Sequence, residues 1–199
     1  MLIRYQLLFA CLAMLALPLR AQTAPDELIR SISSEVIDAV KADKTIQSGD
    51  VGKIIVLVDS KVMPHVNFQG MTESAVGRSW KTATPEQQKR LQDEFKRLLV
   101  RSYAGALTLV KDQTVQVKRM RGKPEEGNVE VQTEVIGSGE PTRLDYRLEK
   151  SGNSWKIYNV NVAGVWLVEQ YRGVFSQKIA SNGVDGLIAW LVERNGGKT

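Results

Sequence analysis

Apolar residues recur at helical spacing from the start of the chain's main body. Leu28, Ile32, Val36 and Val40, joined by Ile29 and Ile37, fall on one helical face. Asp50 is placed to cap a second helix carrying Ile54, Ile55, Val58 and Val62, which Pro64 terminates. Thr72 is placed to cap a short third helix through Val76 and Trp80. The next helix has the fullest set of signals. Thr84-Pro85-Glu86-Gln87 reads as a capping box with proline at the first helical position. Behind it Leu91, Phe95, Leu98, Leu99, Ala106 and Leu109 form one stripe, with Ser102 and Gly105 inside it. Val100, Tyr103 and Leu107 lie off that stripe, so the second half of the helix is apolar on most of its circumference. Such a helix is buried on more than one side.

Between residues 113 and 163 the period changes to two. Val115 and Val117; Val129, Val131, Thr133 and Val135; Leu144, Tyr146 and Leu148; and Trp155 and Ile157 alternate with polar residues. Turn clusters at 122–127, 137–141 and 151–153 separate them. The pattern predicts a meander of four antiparallel strands with one buried face. In the last strand the phase slips: Trp155 and Ile157 fall on one face, Tyr158, Val160 and Val162 on the other. That predicts a bulge or a strand covered on both sides. Helical spacing returns after Gly164 with Leu167, Val168, Tyr171, Val174, Phe175 and Ile179. Asn182-Gly183 breaks it, and Asp185 is placed to cap a last helix with Leu187, Ile188 and Leu191. Helices, a sheet, then helices make an α+β fold.

The first residues read differently. Arg4 precedes an apolar run from Leu7 to Leu17, too short to cross a bilayer, and Leu19-Arg20-Ala21 resembles a cleavage site. Residues 1–21 are therefore expected to be a signal peptide cleaved near Ala21, and residues 22–199 a single α+β domain with a helical N-terminal part, exported to the periplasm. The sole cysteine, Cys11, leaves with the leader, and 178 residues are enough to bury a core without disulfides. Loss of Arg4 and Arg20 takes the 27 basic residues to 25 against 22 acidic ones, a net of +3. That balance is mixed in sign and does not suit nucleic acid, which needs a clustered basic face.

Enzyme signatures are scarce. His65 is the only histidine, so a multi-histidine metal site is not available. No phosphate loop, dinucleotide fingerprint or nucleophile elbow is present. Asp145 and Glu149 alternate with Arg143 and Arg147 on the polar face of a strand, as cross-strand surface pairs would. Lys118, Arg119, Arg121 and Lys123 form the one basic cluster, at a hairpin end. Neither a catalytic residue nor a cofactor is expected.

Three blocks carry a resemblance. Val76-Gly77-Arg78-Ser79-Trp80-Lys81-Thr82-Ala83-Thr84-Pro85-Glu86-Gln87-Gln88 runs on to Phe95, Leu98-Leu99 and Ser102-Tyr103-Ala104. Trp155-Lys156-Ile157-Tyr158-Asn159-Val160 is followed by Gly164-Val165, Tyr171-Arg172 and Phe175. Gly183-Val184-Asp185-Gly186-Leu187 completes the series. In this order and spacing the chain resembles the MlaC family, the toluene-tolerance or ABC-transporter auxiliary proteins. One departure is Asn67-Phe68, where the family has an acidic residue before the phenylalanine.

The resemblance implies a monomeric periplasmic carrier of diacyl phospholipid. Its partners would be an outer-membrane lipoprotein complex and an inner-membrane ABC transporter, and its role the maintenance of outer-membrane lipid asymmetry. It also implies acyl chains in a cavity between a curved sheet and the helices. Candidates to line that cavity are Phe95, Leu99, Val100, Tyr103 and Leu107 on the capped helix. On the strands they are Val131, Val135, Leu144, Tyr146, Leu148, Trp155 and Ile157; beyond them, Val165, Val168, Tyr171 and Phe175. The off-stripe residues Val100, Tyr103 and Leu107 need a second apolar neighbour, either the helix after Gly164 or the lipid. Two other readings stay open: a cone-shaped α+β pocket enzyme of the ketosteroid-isomerase kind, and a periplasmic adaptor with no lipid.

Overall fold

The computed structural model describes residues 23–196, so the predicted leader lies outside the described residues. Helix α1 (Pro25–Ala42) starts with proline at its first position and Asp26 and Glu27 in its first turn, where they oppose the helix dipole. A one-turn helix not foreseen in the sequence, α2 (Lys44–Gln47), follows, capped by the Asp43 carboxylate. Asp50 caps α3 (Val51–Leu57), accepting from the Lys53 N–H at 3.1 Å. The chain then widens into a π-helical turn, Val58–Val62, and a 3-10 turn at Met63–His65.

Helix α4 (Phe68–Val76) corrects the expected third helix. Its cap is Asn67, not Thr72: the Asn67 amide oxygen accepts from the Gly70 N–H at 2.9 Å. Thr72 is fully buried within the helix, with its hydroxyl donated to the Phe68 carbonyl. The amide of Asn67 also donates to Glu149 at 2.6 Å, and its backbone N–H donates to the Ile157 carbonyl at 2.8 Å. An aspartate could cap here, but it would set a second carboxylate against Glu149. Asparagine thus suits both tasks of this loop. Trp80 lies beyond the helix, in a 3-10 segment at Gly77–Thr82.

Helix α5 (Pro85–Thr108) has the predicted capping box in full: Thr84 accepts from the Gln87 N–H at 3.2 Å, and Gln87 from the Thr84 N–H at 2.9 Å. Helix α6 (Leu167–Arg194) is kinked at Asn182 and Gly183, where Gly183 adopts φ 67°. Asp185, the expected cap beyond that kink, accepts instead from the Gln87 side chain at 2.7 Å and so ties α6 to the start of α5.

The sheet has five strands rather than four, in the order β1 (Thr114–Arg121), β2 (Asn128–Ile136), β3 (Thr142–Ser151), β4 (Ser154–Val162) and β5 (Val165–Trp166), all antiparallel. The added strand forms through a two-residue turn in which Ala163 (φ 51°) and Gly164 (φ 94°) both take positive φ. This is the hairpin turn whose usual signature is Asn-Gly. With alanine in the first place the signature is missing.

The predicted phase slip is a β-bulge. Arg147 pairs with Asn159 and Leu148 with Ile157, leaving Tyr158 unpaired. The extra residue brings Val160 and Val162 back to the face that carries Trp155 and Ile157. The inner face of the sheet thus runs Val129, Val131, Thr133, Val135 on β2; Leu144, Tyr146, Leu148 on β3; and Trp155, Ile157, Val160, Val162 on β4.

Helix α1 covers one half of this face: Leu28, Ile29 and Ile32 pack with Val129, Val131, Leu148, Trp155 and Ile157. A second core joins α4, α5 and α6 through Phe68, Phe95, Tyr171 and Phe175, with Phe95 5.0 Å from each of the last two rings. A third packs Val100 and Ala104 of α5 against Val40, Ile46, Ile54 and Leu57. Helix α5 is therefore buried on two sides. For Val100 a further neighbour, which the sequence did not suggest, is the group of helices α1 to α3.

Candidate functional site

The half of the sheet that α1 leaves uncovered borders a cavity of about 560 Å³. Val135, Leu144, Val160 and Val162 form its floor. They face inward yet stay half-buried, because no helix is seated on them. The walls are Ile54 and Val58 from α3 and the turn after it, Leu99, Val100, Tyr103, Ala106 and Leu107 from α5, and Leu167 at the start of α6. Ala106, Leu109, Gly139, Glu140 and Thr142 line the cavity and are exposed, so they mark its mouth. Leu109 is 67% exposed, where the stripe pattern placed it inside.

Tyr103 turns into this space. Burial, and then the neighbouring Tyr171 phenol, hold its pKa above the usual tyrosine value. Polar groups are few and sit near the mouth: Gln113, Glu140 and Thr142. Gln113 is held by the Lys111 N–H, and its side chain lies against Gly137, where a β-carbon would meet it at 2.9 Å.

Of the residues nominated from sequence, Leu99, Val100, Tyr103, Leu107, Val135 and Leu144 come together here. Val131, Tyr146, Leu148, Trp155 and Ile157 lie on the same sheet face but beneath α1. Phe95, Val168, Tyr171 and Phe175 belong to the aromatic core between α4, α5 and α6. Val165 is 46% exposed on β5. Sequence reasoning missed Val160 and Val162, which the phase slip had signalled, and Ile54 and Val58, whose helix gave no sign of which core it would join. It also missed the Gly137–Gly139 turn, because a glycine-rich turn needs no further explanation.

The opposite face of the sheet is polar and more closed than expected. Asp145 is completely buried there, with the Arg143 guanidinium on one of its oxygens at 2.6 Å and no partner on the other. In place of the cross-strand surface pair expected from sequence, this pair lies within β3, with its carboxylate buried and its guanidinium exposed. Arg147 stacks on the Trp166 ring at 3.8 Å and pairs with Glu169 at 2.8 Å. None of these groups lines the cavity. Among the described residues no group of three or more His, Cys, Asp or Glu is placed to hold a metal ion, and no helix is long and apolar enough to cross a membrane.

Residues 30–193 match the family model described as MlaC protein. The chain is 29% identical over 186 residues to the toluene tolerance protein ttg2D of Pseudomonas putida, which covers 92% of this chain and 85% of that protein. It is 23% identical over 172 residues to the intermembrane phospholipid transport system binding protein MlaC of Haemophilus influenzae, covering 84% of this chain and 80% of that one. A solved structure of a phospholipid-binding protein from Ralstonia solanacearum, in complex with a phospholipid, superimposes with a TM-score of 0.83 at 42% identity. The match covers 86% of this chain and 96% of that one.

Proposed function

The chain belongs to the MlaC family, and on that premise we propose that it is a carrier that encloses the acyl tails of a diacyl phospholipid in the cavity between α3, α5 and the sheet. The observation that carries this reading is the cavity itself: a space of about 560 Å³ floored by valines and a leucine and walled by aliphatic side chains and Tyr103, with Gln113, Glu140 and Thr142 at the mouth. Physics accounts for the design. Each methylene withdrawn from water gains about 0.8 kcal/mol, so a lipid with about 30 tail carbons meets a barrier of tens of kcal/mol if it crosses water bare. A carrier lowers that barrier by surrounding the tails. It gains little over the bilayer, since both environments are apolar, so loading and unloading stay nearly balanced and direction comes from partners. Binding of this kind needs no general base and no metal, and we read the protein as a binding protein rather than an enzyme.

On the same reading residues 1–21 are a cleaved leader, and the rest works in the periplasm as one lipid-binding domain. It moves lipid between an outer-membrane lipoprotein complex and an inner-membrane ABC transporter, as a monomer. The Ralstonia protein's bound phospholipid and the Haemophilus protein's name support the cargo.

The test is native mass spectrometry of the purified protein together with phosphorus analysis of an organic extract. One intact diacyl lipid per protein is expected, unchanged over hours and unaffected by chelators. A folded protein with no lipid phosphorus would overturn the reading. Accumulating lysolipid or free fatty acid would replace it with an enzyme.

A further inference from the structure

Resting on the carrier reading of the same cavity, we infer that Glu140 biases the cargo toward phospholipids whose headgroup carries an ammonium and no net charge, and against anionic headgroups. Among the described residues that line the cavity, Glu140 is the only one with a formal charge. It sits in the turn between β2 and β3, exposed, at the mouth. It takes part in no ion pair among the described residues.

With the tails against Val135, Leu144 and Val160, the headgroup must emerge where the lining turns polar, beside Gln113, Thr142 and Glu140. The phosphodiester then meets a carboxylate and no lining cation. A headgroup ammonium offsets that repulsion and gives the carboxylate a donor. A glycerol headgroup leaves the phosphate charge unopposed.

The molecule as a whole argues the other way. Its net charge is +5 over the whole sequence and +3 without the leader, which would favour anionic lipid. Range decides between the two. At physiological salt the screening length is about 8 Å, so only charges beside the mouth act on the headgroup. Those that stand beside the mouth residues in sequence cancel: Asp112, next to Gln113, follows Lys111, and Arg143, next to Thr142, is bound to Asp145. The net positive charge can speed arrival at an anionic membrane, while Glu140 acts on what is extracted.

The test is competition for the delipidated protein between dioleoyl phosphatidylethanolamine and dioleoyl phosphatidylglycerol in equimolar mixed vesicles, read by native mass spectrometry. The tails are identical, so the ratio reports the headgroup alone. Wild type should favour phosphatidylethanolamine by about two- to five-fold, the range of one exposed charge pair, and less in high salt. Glu140→Gln should bring the ratio near one, and Glu140→Lys should invert it. The turn is exposed, and circular dichroism of both variants checks the fold. Equal uptake by wild type, or a ratio that Glu140→Lys does not move, would overturn the inference and leave the carrier reading standing. A wild type that takes up neither lipid would overturn the carrier reading, and this inference with it.

Discussion

Phe95 lies in the main apolar stripe of α5 and Tyr103 off it, and the two should answer mutation in opposite ways. Phe95 is completely buried among Phe68, Tyr171 and Phe175. Phe95→Ala is expected to cost about 3–5 kcal/mol in urea unfolding, because that aromatic cluster cannot collapse into the space. Tyr103 is half-buried and faces the cavity. Tyr103→Glu should therefore keep a near-native far-UV circular dichroism spectrum and purify with much less lipid. Unfolding would place the residue in the packed core; a full lipid load would place it outside the binding space. Tyr146 offers a pH test. Loss of water around its phenol pushes the pKa up to about 12, against the opposing hydrogen bond of Ser33. Unfolded, it releases its proton near pH 10. Between those values the folded protein holds a proton that the unfolded chain has lost. The stability this gives is complete below pH 10 and is lost as pH rises through 12, in all about 2–3 kcal/mol. Tyr146→Phe should be less sensitive to pH over that window, as read from urea midpoints at pH 9, 10 and 11. Equal slopes for the two proteins would mean that the phenol is solvated.

Element ends decide how these side chains are presented. The capping box holds the start of α5, and Gln87 reaches on to Asp185 of α6. Thr84→Ala should lower stability by about 1 kcal/mol through the cap alone. Gln87→Ala should cost more, since it also cuts the link to α6; thermal denaturation of the pair compares the two. The turn into β5 offers the reverse experiment. Ala163 holds a left-handed conformation that costs an L-residue with a β-carbon about 1–2 kcal/mol. Ala163→Asn restores the residue that this turn prefers and should raise stability by about 0.5–1 kcal/mol. A loss instead would show that the neighbouring Asn161, whose side chain accepts from the Gly164 N–H at 2.8 Å, leaves no room for a second amide.

At the scale of the molecule, the fold leaves half of a sheet face without a helix. Helix α1 seals one end of the sheet, while α3 and α5 stand over the other without filling it. A lipid that fills the space binds the folded state alone and must stabilise it. At a free concentration a hundredfold above the dissociation constant the gain is about 2.7 kcal/mol. Delipidated protein should then melt on the order of 5–10 °C lower by calorimetry, and recover on adding phospholipid. Equal melting temperatures would mean that the cavity closes on itself when empty, or that it never held the tails.

The chain's own pattern determined the elements. The helical stripes of α1, α5 and α6, the capping box at Thr84, the break at Asn182-Gly183 and the two-residue period of β1 to β4 are local properties, written within a few turns or one strand. Even the bulge at Tyr158 was visible as a slip of phase. Only the tertiary structure decided which apolar residues meet one another and which meet empty space. Phe95 and Leu99 are one helical turn apart with the same hydrophobic character, yet one is locked inside an aromatic core while the other sits at that core's edge and lines the cavity. Asp145 and Glu149 alternate alike on a polar strand, yet only Asp145 is fully buried. The reason is physical: burial against a neighbour and burial against a void demand the same aversion to water of a side chain. Periodicity reports that aversion, and says nothing of what stands on the other side.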